Sequence, residues 1–102
     1  RVWNEEVFGP ILPIVTFKTE EEAINLANDT VYGLGARVMS EDINRAERVA
    51  SKIDAGSITL NYEARFLACD PFGGYKSSGI GRERGIHGLQ ELCQIKVIQV
   101  DK

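Results

Sequence analysis

The sequence predicts an α/β fold, in which strands and helices alternate along the chain. Three observations favour it: residues 11–61 have the pattern strand, helix, strand, helix, strand; the glycine-dense residues 62–85 follow; and the apolar residues 95–100 end the chain. Such alternation favours right-handed crossovers and a sheet with a parallel component. With 102 residues, of which 43% are hydrophobic, the chain fits one modest domain.

The first predicted strand, residues 11–17, is rich in β-branched residues and is interrupted by Pro13, which places it at a sheet edge or a bulge. A helix follows it. Thr19 and Glu22 form a capping box, and three consecutive glutamates lie in the first turn, where the helix dipole favours negative charge. The helix is predicted to end at Asn28, because the chain turns polar there.

The second strand and helix follow the same logic. Residues 34–39 alternate weakly between apolar and polar and predict a strand. Ser40 is the predicted N-cap of the next helix, with Glu41 and Asp42 in its first turn. The core face of that helix is an apolar stripe at helical spacing, made of Ile43, Ala46, Val49, Ala50 and Ile53. Residues 57–61 predict a third strand.

The last third of the chain is organised differently. Residues 62–85 hold five glycines and predict a loop, residues 86–93 a short helix, and residues 95–100 a terminal strand. Ile95, Val97 and Val100 would make an exposed strand an aggregation liability unless another strand pairs with it. Pairing across a subunit boundary and closure of the chain's own sheet both solve that problem, and the sequence does not separate them.

Composition excludes several classes of protein. Lys and Arg total 12 against 15 for Asp and Glu, a net charge of −3, which argues against a nucleic-acid partner. No apolar run approaches the roughly 20 residues that cross a bilayer, so no membrane partner is expected. Cys69, Cys93 and the single histidine, His87, form neither a disulfide framework nor a metal set. Reduced thiols indicate the cytoplasm.

The beginning of the chain predicts that it is a piece of a longer protein. It opens at Arg1, and its single methionine is Met39, so no initiator or signal peptide precedes the first structured segment. Part of its apolar surface is therefore expected to face parts of the protein that lie outside these residues.

The glycine-dense segment raises the hypothesis of a phosphate-binding module, because glycine exposes backbone amides that hold phosphates. The spacing disfavours it. Gly74 and Gly79 have the glycine interval of a P-loop, but Ile80 and Gly81 follow where a lysine and a hydroxyl residue are required. Arg84 stands where a dinucleotide fingerprint needs its third glycine. A connector that packs backbone tightly is the better interpretation.

Several side chains could touch a ligand, although each has an ordinary structural interpretation. The Glu6 carboxylate could accept hydrogen bonds from two sugar hydroxyls, and Phe8 could pack against a flat ring. Phe66 and Phe72 lie on a loop, where aromatic side chains often line a pocket. Cys69 lies between them, and nothing in the sequence places a base or cation beside it, so we interpret it as an inert or substrate-facing thiol.

The motifs resemble, in order and with compatible gaps, the C-terminal part of the NAD(P)-dependent aldehyde dehydrogenases. The resemblance covers nearly the whole chain, and its last motif is the most specific. The motifs are Glu-Glu-Val-Phe-Gly-Pro at 5–10, Tyr-Gly-Leu at 32–34, Ala-Gly at 55–56 before a strand ending in Asn61, Pro-Phe-Gly-Gly-Tyr-Lys at 71–76 and Ser-Gly-Ile-Gly-Arg-Glu at 78–83.

The resemblance implies a fold and a reaction. Residues 1–85 would be the end of the catalytic domain, and residues 86–102 a short helix and an oligomerisation strand. The full-length enzyme would oxidise an aldehyde to a carboxylic acid with NAD or NADP, through a cysteine thiohemiacetal and thioester. The family's nucleophilic cysteine and general-base glutamate lie upstream, so this chain holds no catalytic residue. Alone, it is expected to be inactive and to bind no NAD measurably.

The resemblance also implies roles for five residues. Glu6 matches the carboxylate that holds the nicotinamide ribose, Phe8 an aromatic side chain near the nicotinamide, and Leu34 an apolar side chain close to the same ring. Phe66 and Phe72 match positions that wall the aldehyde tunnel. The alternative function is a non-catalytic assembly module, in which the terminal strand forms a homo-oligomer.

Overall fold

The computed structural model describes residues 5–63, 65 and 67–101. In that part of the chain it has three helices and two two-stranded sheets, which confirms the predicted α/β class. The elements, in order, are α1 (Glu20–Asn28), β1 (Tyr32–Gly33), β2 (Gly35–Val38), α2 (Ile43–Ala50), β3 (Ser57–Leu60), β4 (Tyr75–Lys76) and α3 (Gly85–Glu91).

Helix α1 begins where its capping residues predict. The Thr19 Oγ1 accepts a hydrogen bond from the Glu22 N–H at 3.1 Å. The Glu22 carboxylate reaches back and accepts from the Lys18 N–H at 2.8 Å, one residue earlier than in the usual reciprocal box. Two backbone donors at the helix start are thereby satisfied, and Ile24 is buried on the inner face of the helix.

Helix α2 begins two residues later than predicted, so the prediction of Ser40 as its N-cap is wrong. Asp42 is the N-cap, and its Oδ1 accepts hydrogen bonds from the N–H groups of Asn44 and Arg45, at 3.0 and 3.3 Å. The Ser40 Oγ instead accepts from the Asp42 N–H. A carboxylate at the cap also complements the helix dipole, which gives Asp42 the better cap.

Strands β2 and β3 form the parallel pair that the alternation predicts. They run in register from Gly35 beside Ser57 to Val38 beside Leu60, with α2 as the crossover, and Ala46 of α2 is fully buried. Beyond their ends, the Asn61 side chain exchanges two hydrogen bonds of 2.8 Å with the Ser40 backbone. This clamp fixes the point at which the chain leaves the sheet towards the glycine-dense segment.

The glycine-dense segment is more ordered than a loop. Within it, Tyr75–Lys76 forms β4, which pairs antiparallel with β1, and Phe72 and Glu83 form a further antiparallel bridge. The predicted final helix is present as α3, Gly85–Glu91. The segment is therefore tied both to the middle of the chain and to itself.

Two predicted strands are not strands in this structure. Residues 11–17 and 95–100 have no β-assignment, because a strand needs a hydrogen-bonded neighbour and the described residues supply none to either segment. The prediction of a first strand at 11–17 is therefore wrong for this chain. Residues 95–100 do not close the chain's own sheet either, and their pairing with a second chain stays a prediction.

The described residues have a small core and an extended shape. Among them, only Ile24, Ala46 and Ala55 are buried apolar side chains. The radius of gyration is 17.8 Å, whereas a compact chain of about 100 residues has roughly 13 Å. Many large apolar side chains are exposed, as expected if this surface faces other parts of the protein. None of the described helices is long and apolar enough to span a membrane.

Candidate functional site

Phe72 lies at the edge of an open hollow of about 220 Å³, which we call the Phe72 hollow. Strand β3 forms one side of it, described residues between Tyr62 and Phe72 form another, and Arg84 closes a third. Its lining is Ser57, Ile58, Thr59, Tyr62, Arg65, Leu67, Asp70, Pro71, Phe72 and Arg84. It combines aromatic and aliphatic side chains with a few charged groups, as small-molecule sites do.

Phe72 is held in place through its backbone. Its N–H donates to the Glu83 carbonyl, and its carbonyl accepts from the Glu83 N–H, both at 2.8 Å. This closed pair of hydrogen bonds fixes the backbone of Phe72, so its half-buried ring has a defined position beside the hollow.

Arg84 follows Glu83 and contacts the Phe72 ring. Its guanidinium carbon lies 5.3 Å from the ring centroid, within the range of a cation–π interaction. The backbone of Arg84 has φ 65° and ψ 168°, a conformation that is essentially restricted to glycine and costs about 1–3 kcal/mol. The Gly88 N–H donates to the Arg84 carbonyl at 2.8 Å, and the Gly85 N–H donates to Ala68 at 3.0 Å, so neighbouring bonds hold this strained residue.

Close backbone contacts seat the glycine-dense segment on the base of β3. A Cβ added to Gly56 would overlap the Gly73 carbonyl, and a Cβ added to Gly73 would come within 2.5 Å of the Gly81 carbonyl. No real side chain tolerates such approaches, so these positions require glycine for packing. The Phe72 hollow depends on this contact, because Gly73 directly follows Phe72.

Arg82 cross-links the same segment, a role that the sequence analysis missed. Its Nη1 donates to the Gly74 carbonyl at 3.1 Å and to the Gly81 carbonyl at 2.7 Å. Its guanidinium also lies over the Tyr75 ring, 5.4 Å from the centroid. A glycine-rich backbone has carbonyl groups that need hydrogen-bond donors. An arginine between glycines is therefore the sequence signal that could have indicated this cross-link.

A second missed cluster joins α1 to the base of β3. The Asn28 side chain donates to the Lys52 carbonyl and accepts from the Asp54 N–H, both at 2.8 Å. Lys76 of β4 donates to the Asn28 carbonyl at 2.8 Å, and its Nζ lies 3.5 Å from the Asp54 carboxylate. The cluster anchors β4, and through it the glycine-dense segment, to the helical layer.

The predicted cofactor residues lie apart from the Phe72 hollow. Glu6 and Phe8 are on the exposed segment before α1, and the Phe8 side chain is 94% exposed. Leu34 lines a separate hollow of about 280 Å³ together with Tyr32 and Ile53. The structure does not bring these three residues and Phe72 into one hollow, and their roles stay predictions.

The remaining candidate residues are placed as follows. Phe66 lies outside the described residues. Cys69 is exposed, and its Sγ lies 3.8 Å from the Asp70 carboxylate, while His87 is exposed on α3. Within residues 5–63, 65 and 67–101, no three His, Cys, Asp or Glu side chains cluster as a metal site requires.

A solvent-accessible ion pair with two hydrogen bonds lies away from the hollow, between α1 and α2. The Arg48 guanidinium donates two hydrogen bonds to the Glu20 carboxylate, at 2.9 and 2.6 Å. The hydrogen bond lowers the pKa of Glu20 below its ordinary value of 4.5 and raises the pKa of Arg48. This pair fixes one helix against the other rather than preparing an acid or base for catalysis.

Comparison with known proteins agrees with the motifs. The model of the aldehyde dehydrogenase family matches residues 1–98. An aminoaldehyde dehydrogenase of Pisum sativum, named as peroxisomal, is 50% identical over 98 residues, which are 96% of this chain and 20% of that protein. A betaine aldehyde dehydrogenase of Bacillus subtilis is 50% identical over 96 residues, 94% of this chain and 20% of that protein.

Solved structures match at the level of the fold. The betaine aldehyde dehydrogenase of Staphylococcus aureus in complex with NAD+ superposes with a TM-score of 0.82 at 52% identity, over 86% of this chain and 18% of that one. The apo form of a variant of the same enzyme superposes with a TM-score of 0.83. The chain thus spans about a fifth of the length of the curated relatives it matches.

Proposed function

Because this chain belongs to the aldehyde dehydrogenase family, we propose that the protein containing it oxidises an aldehyde to a carboxylic acid, with NAD or NADP as the hydride acceptor. The observation that carries the proposal is the family match over residues 1–98. A cysteine nucleophile and a glutamate that activates water would come from the part of the protein outside this chain. This chain then contributes binding surface and no catalytic residue.

The residue types at the proposed cofactor positions suit a nicotinamide nucleotide. The Glu6 carboxylate is exposed and accepts hydrogen bonds only, so it can hold two neighbouring ribose hydroxyls. The Phe8 and Leu34 side chains are also exposed, and they offer apolar surface to a flat ring. When bound, the cofactor supplies the hydride acceptor. The contribution of these three side chains is to orient it and to exclude water from its ring.

For the aldehyde, we assign the binding surface to the loop that carries Phe66 and Phe72. Support comes from the Phe72 hollow, where aliphatic and aromatic side chains make up half of the ten lining residues and the backbone of Phe72 is fixed by two hydrogen bonds. An apolar path keeps bulk water away from the reacting carbon and preserves the fixed electrostatics that hydride transfer needs.

A second candidate function, assembly, is favoured by the end of the chain. In residues 95–100 the side chains of Ile95 and Val97 are 96% and 75% exposed, and no strand of the described residues pairs with them. We propose that residues 1–85 complete a catalytic domain and that residues 86–102 pair with a second copy by strand addition. Light scattering of the complete protein tests this role, since a monomer at high concentration would contradict it.

We propose the cytoplasm as the compartment. Cys69 and Cys93 are both free and exposed, as in proteins that keep their thiols reduced. Fractionation of the native cells, followed by immunoblotting, tests the proposal, which an organellar location would contradict.

The proposed reaction is tested on the complete protein. It should convert an aldehyde to its acid while absorbance of the reduced nicotinamide rises in equal amount. Betaine aldehyde and an aminoaldehyde are the first substrates to try, because the relatives carry those names. Failure to oxidise any of a panel of cationic, neutral and anionic aldehydes with either NAD or NADP would refute the proposal.

A further inference from the structure

We propose that Arg84 is a specificity-determining residue, which disfavours aldehydes that carry a positive charge near Phe72. The inference rests on the proposed aldehyde oxidation and names the substrate class that the Phe72 hollow selects against. Two relatives are named for aldehydes that carry a positive charge. The charge of this hollow separates such aldehydes from neutral and anionic ones.

The face of the Phe72 ring already has a cation. Aromatic faces bind ammonium groups because the ring quadrupole is negative there. The Arg84 guanidinium carbon lies 5.3 Å from the ring centroid, so this face of the ring already interacts with a cation of the protein itself. A substrate trimethylammonium group that approached the same ring would meet the charge of Arg84 instead of an open aromatic face.

The charges around the hollow point the same way. Its charged lining consists of Arg65, Asp70 and Arg84, two guanidinium groups against one carboxylate. The Glu83 carboxylate lies 3.9 Å from the Arg84 Nε and offsets part of that charge, but it does not belong to the lining of the hollow. The local field therefore favours neutral or anionic aldehydes over cationic ones.

The backbone shows that the position of Arg84 is enforced. A side chain at φ 65° and ψ 168° is unfavourable, and such strain persists where neighbouring structure over-determines it, often at a functional site. Here the Phe72–Glu83 bridge on one side and the start of α3 on the other fix the residue. The fixed backbone therefore places the base of the Arg84 side chain beside the ring, where its guanidinium carbon lies 5.3 Å from the centroid.

The test compares two aldehydes of nearly equal shape in the complete enzyme. Betaine aldehyde and 3,3-dimethylbutanal differ by a positive nitrogen in place of a carbon, so the ratio of their kcat/KM values isolates charge. We expect Arg84→Gln to raise that ratio in favour of betaine aldehyde by about three- to tenfold, chiefly through KM. Arg84→Lys should keep the ratio near that of the unaltered enzyme, because the charge remains.

The controls separate charge at this site from other effects. Arg45→Gln makes the same charge change on α2, outside the hollow, and should leave the ratio unchanged. Arg84→Gly removes the charge while suiting the backbone conformation, so it should raise the ratio even if the glutamine variant is unstable. High salt screens charge, so it should bring the kcat/KM ratio of the unaltered enzyme closer to that of Arg84→Gln.

Each outcome bears on one claim. If the unaltered enzyme, Arg84→Gln and Arg84→Gly oxidise both aldehydes with the same ratio, the role of Arg84 is overturned and the proposed function stands. The role of Arg84 is also overturned if Arg84→Lys raises the ratio as much as Arg84→Gln does, because charge would then not be the cause. An unaltered protein that oxidises no aldehyde refutes the proposed function itself.

Discussion

The contact between Gly56 and Gly73 supports the site, and replacing Gly56 with alanine tests it. The new Cβ would overlap the Gly73 carbonyl, which is backbone and cannot rotate away as a side chain can. Overpacking typically costs about 1–3 kcal/mol, and a backbone collision belongs at the upper end, near 3. Alanine also restricts the unfolded chain, which offsets about 0.4–1 kcal/mol of that loss.

The expected net destabilisation of Gly56→Ala is therefore about 2–2.6 kcal/mol. For a domain of roughly 150–250 residues this corresponds to a fall in Tm of about 4–10 °C. We would measure it on the complete protein by calorimetry or dye fluorescence, at one scan rate. Because Gly73 directly follows Phe72, the KM for aldehyde should rise more than the KM for the nicotinamide cofactor.

Gly35→Ala is the matched control. A Cβ at Gly35 would meet the Ser57 carbonyl at 3.7 Å, an ordinary van der Waals distance, so its stability change should stay within about 1 kcal/mol. If Gly56→Ala melted within about a degree of the unaltered protein and of Gly35→Ala, the close seating of the glycine-dense segment on β3 would be wrong.

Four further predictions concern the chain, the site and the helices. The isolated 102-residue chain should form no reduced nicotinamide from NAD and an aldehyde, and turnover would show that it holds a nucleophile of its own. In the complete enzyme, Glu6→Ala should raise the KM for the cofactor about tenfold without a change in Tm, because the side chain is exposed; unchanged kinetics would remove its assigned role. Phe72→Ala should alter aldehyde preference more than cofactor affinity, and the opposite pattern would exclude a position on the aldehyde path. Glu20→Gln should lower stability at neutral pH, and since the Arg48 hydrogen bond depresses the pKa of Glu20, the difference should shrink as the pH falls below 4.5; a difference that grew in acid would contradict the pairing.

Local signals in the sequence predict the helices well. Thr19 and Glu22 place the start of α1 correctly, because a cap depends on residues three positions apart. The start of α2 is predicted two residues early, since Ser40 and Asp42 are both good caps and the choice depends on where β2 ends. The parallel pairing of β2 and β3 follows from the alternation of elements alone.

Strands whose partners are distant are harder to predict. Strand β4 has two residues, and its partner β1 lies more than forty positions earlier, so its sequence carries almost no periodic signal. Residues 11–17 have strand-like composition, but composition cannot supply the hydrogen-bonded neighbour that makes a strand. Non-local pairing is thus the information that the sequence pattern lacks.

In the candidate site, too, some residues are predicted from local motifs and others depend on contacts between distant segments. The roles of Phe72 and Glu6 come from motifs, because a family resemblance carries residue roles that composition cannot supply, and both roles stay predictions. The contacts of Arg82, Arg84 and Asn28 were not predicted, since each joins segments through side chains whose direction depends on the folded backbone. A glycine-dense sequence indicates tight packing, and only the structure shows which carbonyls and rings the arginines meet.

The most direct test of the proposed redox cleft is a crystal structure of the complete protein with its nicotinamide cofactor and an unreactive aldehyde analogue. We expect the Glu6 carboxylate within about 2.6–3.2 Å of a ribose hydroxyl, and the analogue in contact with Phe72. A cofactor that leaves Glu6 in solvent, with the analogue bound on a face of the protein away from Phe72, would contradict the claim that this chain forms one wall of the cleft.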